Sequence, residues 1–396
     1  MSGDFTAFYE AGKKVLSDPE NLYEWETADP YLYLPSLAIS FSITLSLLPY
    51  LPAYFIFYII NYIAGILSIL EFNKILKMMN VKKEMHRLIF LFIIANGYLV
   101  YIQFYFNQFK YLLFIIFLVI IRREIQFRLE EREKNHRYYL INYTLFVYAI
   151  GLAPYFIFTL FIYIFNDIKF QDLIEKENLK KYCILIVLFL LENFLFLIYP
   201  NLIFEFLKGF TRPGEERVKI KMLYLKGLID VSASRMEKIT YISIAILTAL
   251  TILLILVKNL KIEEKFSYFF LAYLFVGVFS YPILLGLMLF SFTLLLFVPF
   301  LNQKARGKEF IKENKFLLIG LLSIATMFFI TDDFILYQFF PGYFELELGI
   351  IDKSKMFILH IIMMICLGTL YIQKYKTSKL EKERKFRIIN TKEITY

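Results

Sequence analysis

The sequence has only two cysteines and three histidines among its 396 residues. Cys183 and Cys366 lie in separate apolar segments, where a thiol behaves as a small hydrophobic group, so no disulfide framework or zinc motif is indicated. None of the histidines has a second ligand at the spacing that metal sites use. We therefore expect neither a metal ion nor another cofactor.

Motifs that bind nucleotides or activate a serine are also missing. The chain has no Walker-type loop, no dinucleotide-binding glycine turn and no nucleophile elbow. This argues against an ATP-driven pump and against an enzyme that uses a cytosolic nucleotide sugar, and it is compatible with a lipid-linked donor. No repeat or low-complexity linker marks a separate soluble domain.

Apolar residues are abundant instead. The chain is 59% hydrophobic and 19% aromatic, with a mean hydropathy of +0.59, well above the values of a soluble domain. Long unbroken apolar runs such as 51–70 and 241–257 favour membrane helices over the alternating strands of a barrel. We therefore predict an all-α, multi-pass protein of the cell membrane.

The alternation of apolar blocks and charged breaks predicts the individual spans. The segment 35–50 is short and bracketed by prolines, so we predict a re-entrant or partial helix there. With it, the bundle has about 11–13 spans, counting short or re-entrant helices. The other candidate spans are 53–76, 88–104, 109–122, 138–152, 155–166, 182–198, 238–257, 268–280, 283–301, 315–332 and 354–373.

The distribution of positive charge predicts the orientation. Most of the 44 lysines and arginines fall in alternate breaks and in the tail 374–396, which the positive-inside rule places in the cytoplasm. The net charge of +9 therefore needs no nucleic-acid partner. We predict an outer segment 1–34, a bundle 35–373 with a basic outer loop 199–237, and a cytoplasmic tail. An outer amino terminus without a signal peptide has two explanations: a further transmembrane helix precedes it, which we expect, or the bundle inserts without one.

The outer segment begins with an amphipathic pattern. Asp4 occupies a helix N-cap position, and an aromatic face follows at helical spacing, which predicts a helix lying at the membrane surface. Asp4 is read either as a simple cap or as a functional acid. The face consists of Phe5, Phe8, Tyr9, Gly12 and Leu16.

A second aromatic cluster follows within residues 21–35. It holds the only tryptophan, Trp25, together with Tyr23, Tyr31 and Tyr33. Two interpretations are compatible with each other. The rings form an interfacial belt at headgroup level, or they form a wall on which a sugar stacks.

These motifs resemble the amino-terminal signature of the glycosyltransferase family 87 membrane enzymes. The resemblance spans the chain in the order of its apolar segments and is closest in the first seventy residues. There is one proline where the family has two. The matched pairs and triplets are Asp4-Phe5, Tyr9-Glu10-Ala11, Leu22-Tyr23, Tyr33-Leu34-Pro35 and Leu48-Pro49-Tyr50-Leu51-Pro52.

Two later motifs are only partly kept. The turn that begins at Phe106 retains Gln108, but Asn107 and Lys110 replace the family's glycine and second asparagine. A later Lys-Pro segment keeps Pro154 and has Ala153 in place of the lysine. These departures leave open a catalytically inactive scaffold.

The resemblance implies a GT-C fold and an inverting transfer of a hexose, typically mannose, from a polyprenyl-phosphate carrier to a glycan or lipid acceptor at the outer face. Membrane lipids are the remaining expected partner. A base must take the acceptor's hydroxyl proton, and Asp4 matches that position. We assign Tyr9, Glu10, Tyr33 and Gln108 to substrate binding.

Other polar residues are candidates by their predicted position. A leaving lipid phosphate needs cations, and the outer loop supplies Lys208, Arg212, Lys226 and Arg235, although such a loop also suits anionic lipids. Asp332 and Asp333 end a span, where they either orient the acceptor or are simply hydrated.

Several polar residues lie within predicted spans or at their ends. Glu192 and Asn193 lie inside a span and belong either to a pocket or to a structural lock. Asn61, Asn96 and Asn142 are predicted to hydrogen-bond between helices. The charged stretch 123–137 is predicted as a solvated cytoplasmic extension of a helix.

A transporter or a flippase for lipid-linked sugars is the main alternative. Transporters concentrate ionisable residues at the midplane, in broken helices of two related halves. Here the ionisable residues gather toward one face and no half-repeat is visible. The pattern therefore favours the transferase.

Overall fold

A computed structural model of the chain divides into two compact units, 1–295 and 296–396. In the first unit the structure describes residues 3–24, 31, 33–81, 86, 109–166, 168, 172–211, 233–257 and 260–276, and in the second it describes 319, 365 and 369. Within these ranges the side chains of 3, 4, 155, 209–211, 233–243, 271, 272 and 274–276 are not described.

The described residues form eleven α-helices and three short 3-10 helices, and no strand occurs among them. The all-α prediction is therefore confirmed for this part of the chain. The 3-10 helices are Pro19–Asn21, Leu45–Leu47 and Pro154–Phe156. The α-helices are α1 Gly3–Ser17, α2 Pro35–Ser42, α3 Tyr50–Met78, α4 Lys110–Leu129, α5 His136–Leu152, α6 Ile157–Asn166, α7 Lys176–Glu192, α8 Leu195–Ile198, α9 Asn201–Thr211, α10 Ala233–Leu256 and α11 Ile262–Val276.

One of the described helices, α3, is long and apolar enough to cross a membrane. At roughly 1.5 Å per residue, a helix of this length extends about 43 Å, which exceeds the roughly 30 Å of a bilayer core. The apolar helix α6 and the apolar part of α10, Ile244–Leu256, are shorter. Length and composition thus indicate one possible crossing, and several crossings remain a prediction.

Small residues let α3 and α4 approach each other closely. The buried side of α3 carries Ala64, Gly65 and Ser68, and close contact through small side chains is how membrane helices commonly pack. An ion pair adds to this seam, since Arg122 Nε lies 2.6 Å from Glu71 Oε2. The end of α3 matches the predicted end of the span 53–76 to within two residues.

Asn142 connects three helices, as the sequence predicted. It is fully buried on α5 and accepts a hydrogen bond from Arg123 Nε of α4 at 2.7 Å. Its amide nitrogen donates to the Tyr163 hydroxyl of α6 at 2.6 Å. Asn61 is buried on α3, and Asn96 lies outside the described residues.

Charged residues of α4 and α11 meet in what we call the ion-pair cluster, formed by Glu124, Arg128, Lys134, Tyr138 and Glu263. Arg128 donates from both terminal guanidinium nitrogens to Glu263, at 3.1 and 2.6 Å. Glu124 accepts from the Tyr138 hydroxyl and lies 2.9 Å from Lys134 Nζ.

The ion-pair cluster corrects two predictions. The stretch 123–137 does extend α4, through residue 129, but Glu124 is buried rather than solvated. The charged break predicted between the spans 238–257 and 268–280 includes the start of α11, where Glu263 and Lys265 are buried. Arg128 on α4 compensates the buried charge of Glu263. The sequence pattern along α11 alone contains no information about this partner.

The predicted span 182–198 is not one continuous helix. It divides into α7 and α8, with Asn193 and Phe194 between them. The segment 35–50 forms a short helix, α2, followed by a 3-10 turn, so the prediction of a partial helix there is confirmed. The predicted spans 88–104, 283–301, 315–332 and 354–373 fall outside the continuously described ranges.

Candidate functional site

The candidate base Asp4 lies in the first turn of α1. The helix begins at Gly3, so Asp4 is its second residue and not the N-cap that the sequence predicted. Its side chain is not described. An acid in the first turn still interacts favourably with the positive end of the helix dipole.

The aromatic face of α1 packs against protein. Phe5 and Phe8 are completely buried, and the helix lies against α2 and the 3-10 turn that follows it. Gly12 allows this approach, because a Cβ there would lie 2.8 Å from Phe41 Cβ and 3.0 Å from Ser42 N. Of the predicted face only Leu16 is exposed, so the aromatic face packs against protein and is not available to a membrane; the location of α1 at the membrane surface stays a prediction.

Two predicted substrate contacts on α1 differ in their surroundings. Tyr9 is buried, and its hydroxyl donates to the Leu48 carbonyl at 2.7 Å. Glu10 points outward and lies 3.8 Å from Lys13 Nζ. Packing therefore accounts for Tyr9, whereas Glu10 is accessible to a ligand.

The tyrosines of the second aromatic cluster hold the backbone of the outer segment. The Tyr23 hydroxyl donates to the Tyr33 carbonyl at 2.8 Å. The Tyr31 hydroxyl donates to the Leu34 carbonyl at 2.6 Å and accepts from Ala38 N at 3.0 Å. Burial raises the pKa of both Tyr23 and Tyr31 well above the usual range, so both phenols remain protonated donors.

Tyr33 faces inward from the same cluster. Its ring packs edge-on against Phe8 and Phe109, with centroids 5.0 and 5.2 Å away. Trp25 lies outside the described residues. The described rings are thus packed against one another. Tyr23 and Tyr31 are buried, so they form neither an exposed belt nor an open wall on which a sugar could stack.

An open cleft of about 740 Å³ lies between the outer segment and the chain around α8 and α9; we call it the amino-terminal cleft. Ring contact between Tyr23 and Phe206, with centroids 5.8 Å apart, joins its two sides. It is lined by Glu20, Asn21, Tyr23, Glu24, Ile198, Tyr199, Pro200, Asn201 and Glu205.

Local hydrogen bonds fix the wall that comes from the outer segment. Asp18 precedes Pro19, where a helix tends to stop, and its carboxylate accepts from Asn21 Nδ2. Lys14, in the last turn of α1, donates from Nζ to the carbonyls of Asn21 and Glu24 at 3.2 and 2.9 Å. A lysine at a helix end commonly binds free carbonyls in this way.

The predicted cations are placed unequally. Lys208 lies on α9 and pairs with Glu205 one turn earlier, so its ammonium group is held at the edge of the cleft. Arg212 and Lys226 fall outside the described residues, and Arg235 lies on α10 with its side chain not described. The described lining of the cleft is therefore acidic, with Lys14 and Lys208 beside it.

The amino-terminal cleft and Asp4 lie at opposite ends of α1. Lys14 borders the cleft, and ten residues of helix separate it from Asp4, about 15 Å along the axis. A ligand that uses both must be extended. Gln108, Asp332 and Asp333 lie outside the described residues, so their predicted roles stay predictions.

Sequence reasoning missed most of the cleft. Glu20, Glu24, Asn201 and Glu205 line it, and none was a candidate. Two signals were available: Asp-Pro after a lysine marks a helix end, and Pro200 marks the start of another helix. Nothing in the sequence indicated that these two turns face each other.

The candidate site, the amino-terminal cleft, is defined by its geometry and its lining residues alone. Within the described ranges, no group of three or more histidines, cysteines or acids is placed to hold a metal ion. Comparison of the chain with known proteins finds no matching family model, no matching curated protein and no matching solved structure.

Proposed function

We propose that this protein is a multi-span membrane glycosyltransferase that moves a hexose, with mannose the expected one, from a polyprenyl-phosphate carrier to an acceptor at the outer face, inverting the anomeric centre. The observation that carries the proposal is the amino-terminal cleft, where the predicted outer segment meets the start of the predicted outer basic loop. The resemblance to glycosyltransferase family 87 supports the same assignment.

The lining of the cleft suits a ligand rich in hydroxyl groups. The carboxylates of Glu20, Glu24 and Glu205 accept hydrogen bonds, and the Asn201 amide both donates and accepts. A sugar chain offers many hydroxyl donors, so these groups together fit a carbohydrate better than an apolar ligand.

The separation of Asp4 from the cleft assigns them different tasks. Asp4 takes the proton from the acceptor hydroxyl, the oxygen attacks the anomeric carbon, and the bond to the lipid phosphate breaks on the opposite face. The cleft binds a part of the glycan acceptor away from the reacting carbon, and such remote binding positions the reacting groups.

The departing phosphate is stabilised by cations. Lys208, Arg212, Lys226 and Arg235 are the proposed donors of positive charge. Of these, Lys208 already has Glu205 as a partner, so it contributes less to phosphate binding than an arginine without one. Asp332 and Asp333 remain the proposed acceptor-orienting pair.

One observation favours a transporter or a flippase for lipid-linked sugars as the second candidate. The helix pair α7 and α8 is interrupted beside Glu192, and transporters bind ions and substrates at such interrupted helices. The interruption involves one helix pair, and no second, related half is visible in the sequence.

The proposal is tested by incubating membranes that contain the full chain with radiolabelled polyprenyl-phosphate hexoses and a glycan acceptor. Asp4→Asn is expected to lower kcat by about 100-fold or more, because general-base catalysis contributes that much. Glu20→Gln is expected to raise KM for the acceptor and to leave kcat nearly unchanged. The matched control is Glu177→Gln, an exposed carboxylate of α7 far from the cleft in sequence.

Two outcomes would contradict the proposal. Transfer that is unaffected in Asp4→Asn removes Asp4 from the mechanism. Absence of transfer from every carrier, together with movement of labelled lipid-linked sugar across vesicles that contain the protein, assigns the flippase function instead.

A further inference from the structure

The interruption between α7 and α8 places a carboxyl group beside two other helices. Glu192 is the last residue of α7, and the next residue, Asn193, is almost completely buried. α7 packs against α5, and α5 packs against α2. Glu192 therefore lies at a joint of three helices, inside a predicted membrane span.

Asn193 connects two helix ends at this joint. Its Nδ2 donates to the Phe189 carbonyl at the end of α7, at 3.1 Å. Its Oδ1 accepts from the Ser36 amide in the first turn of α2, at 3.2 Å. One amide side chain thus bonds the Phe189 carbonyl, which also accepts the Asn193 backbone N–H, and binds a free N–H in the first turn of α2.

Glu192 has no comparable partner in the described part of the chain. Its Oε2 atom is buried and makes no hydrogen bond, and no described ion pair includes Glu192. Tyr148 is the titratable group that interacts with it from α5, and α2 has no titratable residue. The Ser36 hydroxyl is also buried without a hydrogen-bond partner.

A charged carboxylate is costly in this position. Burial disfavours the ionised form, and among the described residues neither a cation nor a hydrogen-bond donor to Oε2 compensates it. Protonation removes the charge and turns one oxygen into an O–H donor. An ionisable residue inside a membrane span commonly marks a proton or ion pathway.

We propose that Glu192 is a proton-binding site at the α7–α8 joint, occupied in the folded protein. The inference rests on the proposed membrane location of α7 and is independent of glycosyl transfer.

The first test uses a hydrophobic carbodiimide, which adds to protonated carboxyl groups in apolar surroundings. The full chain is reconstituted in phosphatidylcholine vesicles, treated across a pH series, and mapped by peptide mass spectrometry. We expect modification of Glu192 at neutral pH, decreasing as the pH rises, and none at this site in Glu192→Gln.

Glu177 provides a matched control on the same helix. It is exposed at the start of α7, and Lys180, 2.6 Å away, lowers its pKa, so it remains ionised and unmodified. Equal labelling of Glu177 and Glu192 would show that the reagent reports access and not protonation, and would overturn the assignment.

Infrared difference spectra and unfolding give independent readouts. The spectrum of the wild type minus that of Glu192→Gln is expected to contain the carbonyl band of a protonated carboxylic acid at neutral pH. Glu192→Gln is expected to leave the unfolding midpoint unchanged, because an amide resembles the neutral acid. A carboxylate band at neutral pH would overturn the proposal. Protection of Glu192 from the carbodiimide by sodium ions at constant pH would also overturn it, because the ligand would then be a metal cation.

Discussion

Two buried regions of the molecule are held together by different forces. The aromatic block at the amino terminus consists of Phe5, Phe8, Phe41, Phe57 and Phe109, whose ring centroids lie between 5.1 and 6.2 Å from their neighbours in the block. The ion-pair cluster joins α4, the chain up to the start of α5, and α11 through hydrogen bonds and charge.

Because the two regions are stabilised by different interactions, they should respond differently to substitution. Contacts in the aromatic block are numerous and weakly directional, so removal of one ring loses area and leaves a cavity. In the ion-pair cluster, removal of one partner leaves a buried charge without compensation, and removal of both partners costs less than removal of one. Substitutions in the two regions should therefore combine differently.

The largest effect is expected for Phe8→Ala. Phe8 is completely buried among Tyr33, Phe41, Phe57 and Phe109. Loss of its ring should lower the free energy of unfolding by about 3–5 kcal/mol, as for other buried phenylalanines. Denaturant titration of the full chain in detergent micelles measures this change.

The control for Phe8 is Phe55→Ala on α3. Phe55 is 56% exposed, so its removal should change the free energy of unfolding by less than about 0.5 kcal/mol. Equal losses for the two variants would contradict the packing of α1 against α2 and α3.

The second effect is expected for Arg128→Ala in the ion-pair cluster. Without the guanidinium, Glu263 stays buried with its carboxylate uncompensated. Breaking a fully buried pair costs about 3–5 kcal/mol, and because the Arg128 side chain is 38% exposed we expect about 2 kcal/mol. The double variant Arg128→Met, Glu263→Gln should recover more than half of that loss. The control Arg132→Ala removes a member of an exposed ion pair and should cost little stability.

A double-mutant cycle separates the two regions. Arg128→Met and Glu263→Gln should be strongly non-additive, because they remove one shared interaction. Phe8→Ala combined with Arg128→Ala should be additive. Additivity within the Arg128 and Glu263 pair would mean that their contact contributes nothing to the fold.

Helices were predictable from the sequence where one helix alone contains the signal. The apolar run that became α3, and the proline-bracketed α2, were found because length and proline chemistry are local. The aromatic spacing on α1 correctly identified the side that becomes buried. It could not identify what covers that side, because an aromatic face can be buried equally well against other helices, here α2 and α3, or against a membrane surface.

The features that were missed depend on contacts between distant residues. Glu263 is buried because Arg128 lies opposite it, and the pair is separated by 135 positions. The interruption at Asn193 is likewise stabilised by the Ser36 amide, 157 positions away. The candidate site follows the same rule: its residues at 20–24 and 198–205 were each visible as turns, and only the fold shows that they face each other.

The smallest effect distinguishes two glycines, and it tests how tightly α1 and α5 each pack against α2. A Cβ on Gly12 of α1 would lie 2.8 Å from Phe41 Cβ and 3.0 Å from a backbone nitrogen, whereas one on Gly151 of α5 would meet closely only the Ser36 hydroxyl, which can rotate. Alanine gains up to about 1 kcal/mol over glycine in a helix, and overpacking costs about 1–3 kcal/mol. We therefore expect Gly12→Ala to lower the free energy of unfolding by about 1 kcal/mol and Gly151→Ala to change it by about 0.5 kcal/mol or less, in the same denaturant titration. A neutral Gly12→Ala would show that α1 can move away from α2, and that the aromatic block is packed less tightly than its ring contacts indicate.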